Sequence, residues 1–215
     1  MKTLFFDLDG TLTDSKPGII RCIQFALSEL KVPVPNEKEL LEYIGPPLQD
    51  SFSQILDTED EALINKAIEI YRKLYSKDGI YETSLYEGIE YMLNNLSVKS
   101  QNLFVVTSKP TYFARKISEN LDISKYFKEI HGSELDGTRI NKADLIRYIL
   151  NLESISPKQA LMIGDRKHDI LGAKLNNVIG IGVLWGYGSF DELINAGADK
   201  ICSSPEDLLS VLDNL

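Results

Sequence analysis

Residues 2–12 read Lys2-Thr3-Leu4-Phe5-Phe6-Asp7-Leu8-Asp9-Gly10-Thr11-Leu12, an apolar run that stops at two aspartates, a glycine and a threonine. Residues 4–6 are predicted to form a short buried strand, and Gly10 is where the chain can turn away from it. Asp7 and Asp9 then stand at the strand's carboxyl end, the edge at which parallel α/β sheets bind ligands. Side chains at i and i+2 point the same way along a strand, so the two charges crowd each other. At about 4 Å and an effective dielectric near 20 they repel by about 4 kcal/mol, which calls for a cation or a proton. Oxygen-only ligands favour Mg²⁺, and the chain has no His or Cys cluster to suggest zinc. Taken alone, Asp7-Leu8-Asp9 suits a pair of loop aspartates, one capping the next helix, equally well.

Three further segments end predicted strands, or begin helices, in polar residues. Thr107 follows the apolar run 103–106 and can offer a hydroxyl and a backbone N–H to a phosphate oxygen; taken alone, it reads better as a helix N-cap. Lys142 opens a predicted helix, where a lysine is usually a solvated charge. Its cation also runs against the helix dipole there, which suggests a compensating anion. In Met162-Ile163-Gly164-Asp165-Arg166-Lys167-His168-Asp169 a second apolar strand ends in acid. Asp165 can reach a metal at the sheet edge, while Asp169, one turn into the helix, can orient metal-bound water or Lys142. With an acidic pair already ending another strand, simple capping by Asp165 and Asp169 is the poorer account.

The elements that must hold these groups follow from hydrophobic patterning. From residue 103 onward short apolar runs alternate with helical patterns, the signature of a parallel sheet covered by helices. Strands are predicted over 103–106, 129–131, 160–164, 178–183 and 200–202, and helices over 111–120, 142–150, 169–176, 191–196 and 205–212. Residues 16–82 show helical patterns only, over 18–30, 37–43, 48–56 and 59–75, the last with Leu63, Ala67, Ile70 and Leu74 at helical spacing. The expected organisation is an α/β, Rossmann-like parallel sheet core of residues 1–15 and 83–215, with an inserted all-helical cap domain of residues 16–82 able to act as a lid.

Composition narrows the class. The 215 residues, 43% hydrophobic, can bury a full core, and a net charge of -9 without a basic block argues against a nucleic acid polymer as partner while leaving room for a small anionic ligand. Cys22 and Cys202 are too few and too far apart for a disulfide framework or a cysteine metal site. No signal peptide or membrane-length apolar stretch is visible, so the expectation is a cytoplasmic protein with no membrane partner, a monomer or homodimer.

Asp7-Leu8-Asp9-Gly10-Thr11, Thr107, Lys142 and Gly164-Asp165 with Asp169, in this order, resemble the haloacid dehalogenase-like superfamily of phosphotransferases, and the resemblance spans nearly the whole chain. The insertion resembles that family's C1 helical cap. Asp14-Ser15, Ile44-Gly45-Pro46-Pro47-Leu48, Val106-Thr107-Ser108-Lys109-Pro110 and Gly182-Val183-Leu184-Trp185-Gly186-Tyr187-Gly188 look most like phosphoglycolate phosphatase-type members. One departure is Ala143, where many relatives place a proline after the lysine.

The resemblance implies a Mg²⁺-dependent phosphatase acting on a small phosphorylated metabolite. In it Asp7 attacks phosphorus to give an aspartyl-phosphate and Asp9 is general acid and then base. Asp7, Asp9 (through its carbonyl) and Asp165 hold the metal, Asp169 stands behind them, and Asp9, Gly10, Thr107, Ser108 and Lys142 contact phosphate. Specificity is expected in the cap, first at Gly45, Pro46 and Pro47, although a plain helix breaker explains that stretch nearly as well. Trp185 reads as pocket lining or, better, as a packed loop aromatic. The alternatives are a 5′-nucleotidase, pyrophosphatase or phosphomutase of the same fold and, from another class, a phospho-accepting signalling or binding protein. In a signalling receiver, however, the phosphorylated Asp ends a later strand than the acidic pair. A dehalogenase would have no need of Asp9 as acid.

Overall fold

The computed structural model describes residues 2–99 and 102–215, which divide into two compact units, 2–14 with 85–99 and 102–215, and 15–84. The crossings thus fall one residue earlier and two residues later than the patterning placed them.

The chain begins with β1 (Thr3–Phe6) and the two-residue β2 (Thr13–Asp14). All four β1 residues are buried, as expected of a strand covered on both faces. Between the two strands Gly10 adopts a positive φ of 85°, a conformation that favours glycine, and its N–H donates to the Thr13 carbonyl at 2.8 Å. The amides of Thr11, Leu12 and Thr13 all point at the Leu8 carbonyl, closing a tight loop directly after the acidic pair.

The helical unit holds α1 (Lys16–Glu29), α2 (Glu37–Leu40), a 3₁₀ turn (Leu41–Tyr43), α3 (Leu48–Ile55) and α4 (Glu61–Lys77). Asn36 and Glu39 form a reciprocal capping box at the start of α2, and Asp60 caps α4 two residues later than the predicted start. The buried stripe of α4 is Ile64, Ala67, Ile68, Tyr71 and Tyr75, rotated by about one residue from the Leu63–Ile70–Leu74 stripe that aliphatic spacing suggests. Aromatic packing decides the rotation: Tyr71 stacks on Tyr75 at 5.3 Å and meets the Phe52 ring at 6.1 Å. Gly45, at φ 101°, turns the chain into Pro46 and Pro47, and the Pro47 carbonyl accepts from the amide and hydroxyl of Ser51 at the head of α3. Here that stretch ends one helix and starts another.

After β3 (Ser84–Leu85), α5 (Ile89–Val98), which the patterning had not marked, leads into β4 (Asn102–Pro110). There follow α6 (Thr111–Asn120), β5 (Glu129–Ser133), α7 (Lys142–Leu152), β6 (Ala160–Gly164), α8 (Lys167–Leu175), β7 (Ile179–Val183), α9 (Phe190–Ala196), β8 (Lys200–Cys202) and α10 (Pro205–Asp213). Six strands form one sheet in the order β5-β4-β1-β6-β7-β8, every pairing parallel. This is an α/β, Rossmann-like core. On one face Phe5, Phe104 and Met162 pack with Leu145, Ile146 and Ile149 of α7, with Phe5 edge-on to Phe104 at 5.8 Å.

The order places the first strand between β4 and β6, so the chain leaves β1 in both directions. At such a switch point the carboxyl ends of three adjacent strands border one crevice. Asp7 and Asp9 follow β1, Thr107 and Lys109 lie at the end of β4, and Asp165 follows β6.

Candidate active site

Lys142 is the structural centre of the site. It is the first residue of α7, where Asn141 caps the helix by accepting from Ala143 and Asp144, and it is buried rather than a solvated surface charge. Its Nζ lies 3.0 Å from Asp7 Oδ1 and 2.8 Å from Asp169 Oδ1, and it donates to the Val106 carbonyl at 2.9 Å. Three donors meet three acceptors, which is all an ammonium can offer. Burial alone would lower the Lys142 pKa, but Asp169 and Asp7 outweigh it and hold the cation above its ordinary value.

Oxygens of Asp7, Asp165 and Asp169 lie within 4.8 Å of one another, all three residues buried. Asp165 accepts from Thr11 Oγ1 (3.1 Å) on one oxygen and from the Tyr187 N–H (2.8 Å) on the other, so each keeps a lone pair. Burial, with Asp169 and Asp7 close by, pushes its carboxyl up to about 8. Asp169 is fastened on both sides, by Lys142 and by the Arg166 N–H (3.2 Å); burial raises its pKa and Lys142 opposes that.

Asp9 stands apart from this trio. Its Oδ2 is 2.7 Å from Lys109 Nζ, both side chains being nearly buried, while its buried Oδ1 has no hydrogen-bond partner among the described residues. An unsatisfied buried acceptor costs about 1–3 kcal/mol, a cost usually met where chemistry needs the group.

Four carboxylates (Asp7, Asp9, Asp165, Asp169) against two ammonium groups (Lys142, Lys109) leave two negative charges in a buried site. The high Asp165 pKa expresses the same imbalance. A hard divalent cation with oxygen ligands would balance it without protonating any carboxylate, so the residues fit such an ion.

Thr107 belongs to the strand rather than to a helix cap. β4 runs on to Pro110, with its register on β5 shifting between Val106 and Pro110, and α6 starts at Thr111 without a side-chain cap. Thr107 Oγ1 accepts the Lys109 N–H at 3.2 Å, and the Ser108 carbonyl accepts from Ser133 Oγ at 2.9 Å. The resulting turn carries Lys109 to Asp9, a role that residue types alone did not reveal. The irregularity that produces it has no sequence signal beyond Pro110.

The loop 185–188 also supports the site. Trp185 donates its Nε1–H to the Thr11 carbonyl at 2.8 Å, so the packed-aromatic reading holds and the residue ties the loop to the turn after Asp9. Gly186 and Gly188 pack where a Cβ would fall 2.1 Å from the Gly10 carbonyl oxygen and 1.8 Å from that of Asp165. The Tyr187 hydroxyl donates to Asp14 Oδ1 at 2.9 Å. The glycine spacing around Trp185 and Tyr187 was the available clue. Gly45, Pro46 and Pro47 belong to the separate helical unit.

Comparison with known proteins accords with this geometry. Over 211 residues the chain is 44% identical to a 5′-nucleotidase of Pseudomonas aeruginosa, covering 98% of this chain and 95% of that protein. It is 30% identical over 228 residues to a phosphoglycolate phosphatase of Shigella boydii, covering 96% and 90%. A solved structure described as "a predicted phosphatase from Clostridium acetobutylicum" superposes with a TM-score of 0.96 at 40% identity, covering 100% of this chain and 99% of that one. The family model for haloacid dehalogenase-like hydrolases matches residues 4–183, which includes every core site residue named above except those of the loop 185–188. The chain therefore belongs to the haloacid dehalogenase-like hydrolases and is a phosphatase of that family.

Proposed function

We propose that the protein hydrolyses a small phosphate monoester in two steps, with Mg²⁺ as cofactor and Asp7 as nucleophile. The observation that carries this reading is the shared lysine: Lys142 holds Asp7 and Asp169 together in a group of three carboxylates at the sheet's switch point. A carboxylate so placed is held in a fixed orientation by its cation.

In the first step an Asp7 oxygen bonds to phosphorus as the ester P–O bond breaks, and the departing oxygen takes a proton from Asp9. In the second, water bonds to the same phosphorus, the Asp7–phosphorus bond breaks, and Asp9 receives the water proton. Asp7 and Asp165, with the Asp9 carbonyl, would hold Mg²⁺, while Asp169, fastened by Lys142 and the Arg166 amide, keeps the cluster aligned. The ion supplies positive charge for the phosphoryl oxygens. Lys142 neutralises Asp7 against an incoming dianion, and the Thr107 hydroxyl, Gly10 and Ser108 offer further phosphate contacts.

For the substrate, the motif resemblance supports phosphoglycolate, whereas the 44% identical relative named a 5′-nucleotidase supports a nucleoside 5′-monophosphate. Phosphate release from both, with a sugar phosphate and pyrophosphate alongside, decides among them. Acid quenching during turnover followed by mass spectrometry should find one added phosphoryl group on Asp7. Its absence, with burst kinetics also absent, would remove the covalent step.

A further inference from the structure

We infer that Lys109 is a positioning residue for the proton-transfer half of the reaction, holding Asp9 by one oxygen so that the other is left to carry the proton. The inference rests on the proposed role of Asp9 and adds a residue to it.

Three observations show Lys109 to be built in. Its Nζ sits 2.7 Å from Asp9 Oδ2, and its side chain is only 8% exposed, unlike a surface lysine that happens to face an acid. Its backbone is fixed from several directions. The amide donates to Thr107 Oγ1, the preceding carbonyl accepts from Ser133 Oγ, and Gly132 packs where a Cβ would fall 2.2 Å from the Lys109 carbonyl oxygen. The register shift between Val106 and Pro110 breaks the strand's regular alternation at this point. Asp9 Oδ1, meanwhile, is buried without a hydrogen-bond partner among the described residues, although Oδ2 is tied. A carboxyl group held in that way cannot rotate freely, and its two oxygens have different tasks. Lys109 anchors Oδ2, and Oδ1 gives its proton to the departing ester oxygen, leaving a carboxylate beside a cation. In the second step the proton of the attacking water returns to it.

The consequence is a dependence on the leaving group. An alkyl phosphate releases a poor leaving group that needs the proton. p-Nitrophenyl phosphate releases a phenolate that is stable without one. The test compares kcat/KM, which reports the step that breaks the ester bond, for the two esters, the alkyl ester being whichever of the nucleoside 5′-monophosphate and phosphoglycolate turns over faster. In Lys109→Met the alkyl-to-aryl ratio should fall by about 10- to 100-fold, a fraction of the ~10²- to 10⁴-fold that general acid catalysis supplies. Lys109→Arg keeps the charge and guards against loss of the fold; it should shift the ratio the same way by less. An unchanged ratio in both variants, with kcat or KM altered equally for the two esters, overturns the inference and leaves an ordinary ion pair or phosphate contact. Asp9→Asn is the control. If it shifts the ratio and the Lys109 variants do not, Lys109 alone is misassigned; if it does not shift the ratio either, the acid role of Asp9 fails with it.

Discussion

Two lysines, Lys142 buried and Lys109 with its side chain nearly covered, serve two aspartates of the same motif in different ways. Lys142 joins Asp7 to Asp169 and spends its third donor on the Val106 carbonyl, inside a group of three carboxylates. Lys109 holds Asp9 outside that group and leaves one of its oxygens without a hydrogen bond among the described residues. The two aspartates stand two positions apart and are chemically identical, yet one is set among charges that favour a cation, while on the proposed mechanism the other exchanges a proton. Environment separates the roles, as it does wherever paired carboxylates divide acid and nucleophile between them.

The comparison breaks most sharply at Asp7. Asp7→Asn should reduce turnover by on the order of 10⁴-fold with a thermal melt close to that of the native chain; near-native turnover would mean that the nucleophile is another group. Lys142→Met comes next. Removing a cation shared by two buried carboxylates should cost about 3–5 kcal/mol of stability, read by urea unfolding. A cost below about 1 kcal/mol would show that the site does not depend on its central lysine as an exposed pair would not.

A third test uses pH and metal without any substitution. The Asp165 carboxyl titrates at about 8 in the metal-free fold against 3.8 unfolded, so the folded state holds this proton longer. Its contribution is full below about pH 4 and is lost as pH rises through 8, so metal-free protein should lose melting temperature across that range. Mg²⁺ should reverse the loss at the alkaline end, by about 2.7 kcal/mol at a concentration 100 times its Kd. A melting temperature unmoved by Mg²⁺ at pH 8 would remove the cation from the three-carboxylate group. The smallest effect is expected at Trp185→Phe, which gives up the bond to the Thr11 carbonyl for about 1 kcal/mol and sharpens how far the loop 185–188 supports the turn that follows Asp9.

Much of the site was legible as residue types at strand ends. Asp7, Thr107 and Asp165 stand at the ends of strands that apolar runs mark, while Lys142 and Asp169 stand in the first turns of helices α7 and α8. Less was legible where a neighbour outvotes local pattern. The α4 stripe turned toward Tyr71 and Tyr75 because aromatic rings, not only aliphatic ones, find partners there. Helix α5 lies outside the predicted helices although Ile89, Met92, Leu93 and Leu96 are all buried.

Hydrophobic periodicity was enough to define the alternating α/β order and the helical interruption, and the motif resemblance pointed to the family, because each is written in local stretches of residues. The tertiary structure alone decided which lysine serves which aspartate, and that Thr11, Tyr187 and the glycines of the loop 185–188 hold Asp165. Those pairings join residues up to 154 positions apart through strand register and an irregularity in β4. Local sequence cannot express them, since a side chain's partner depends on where the whole sheet places it.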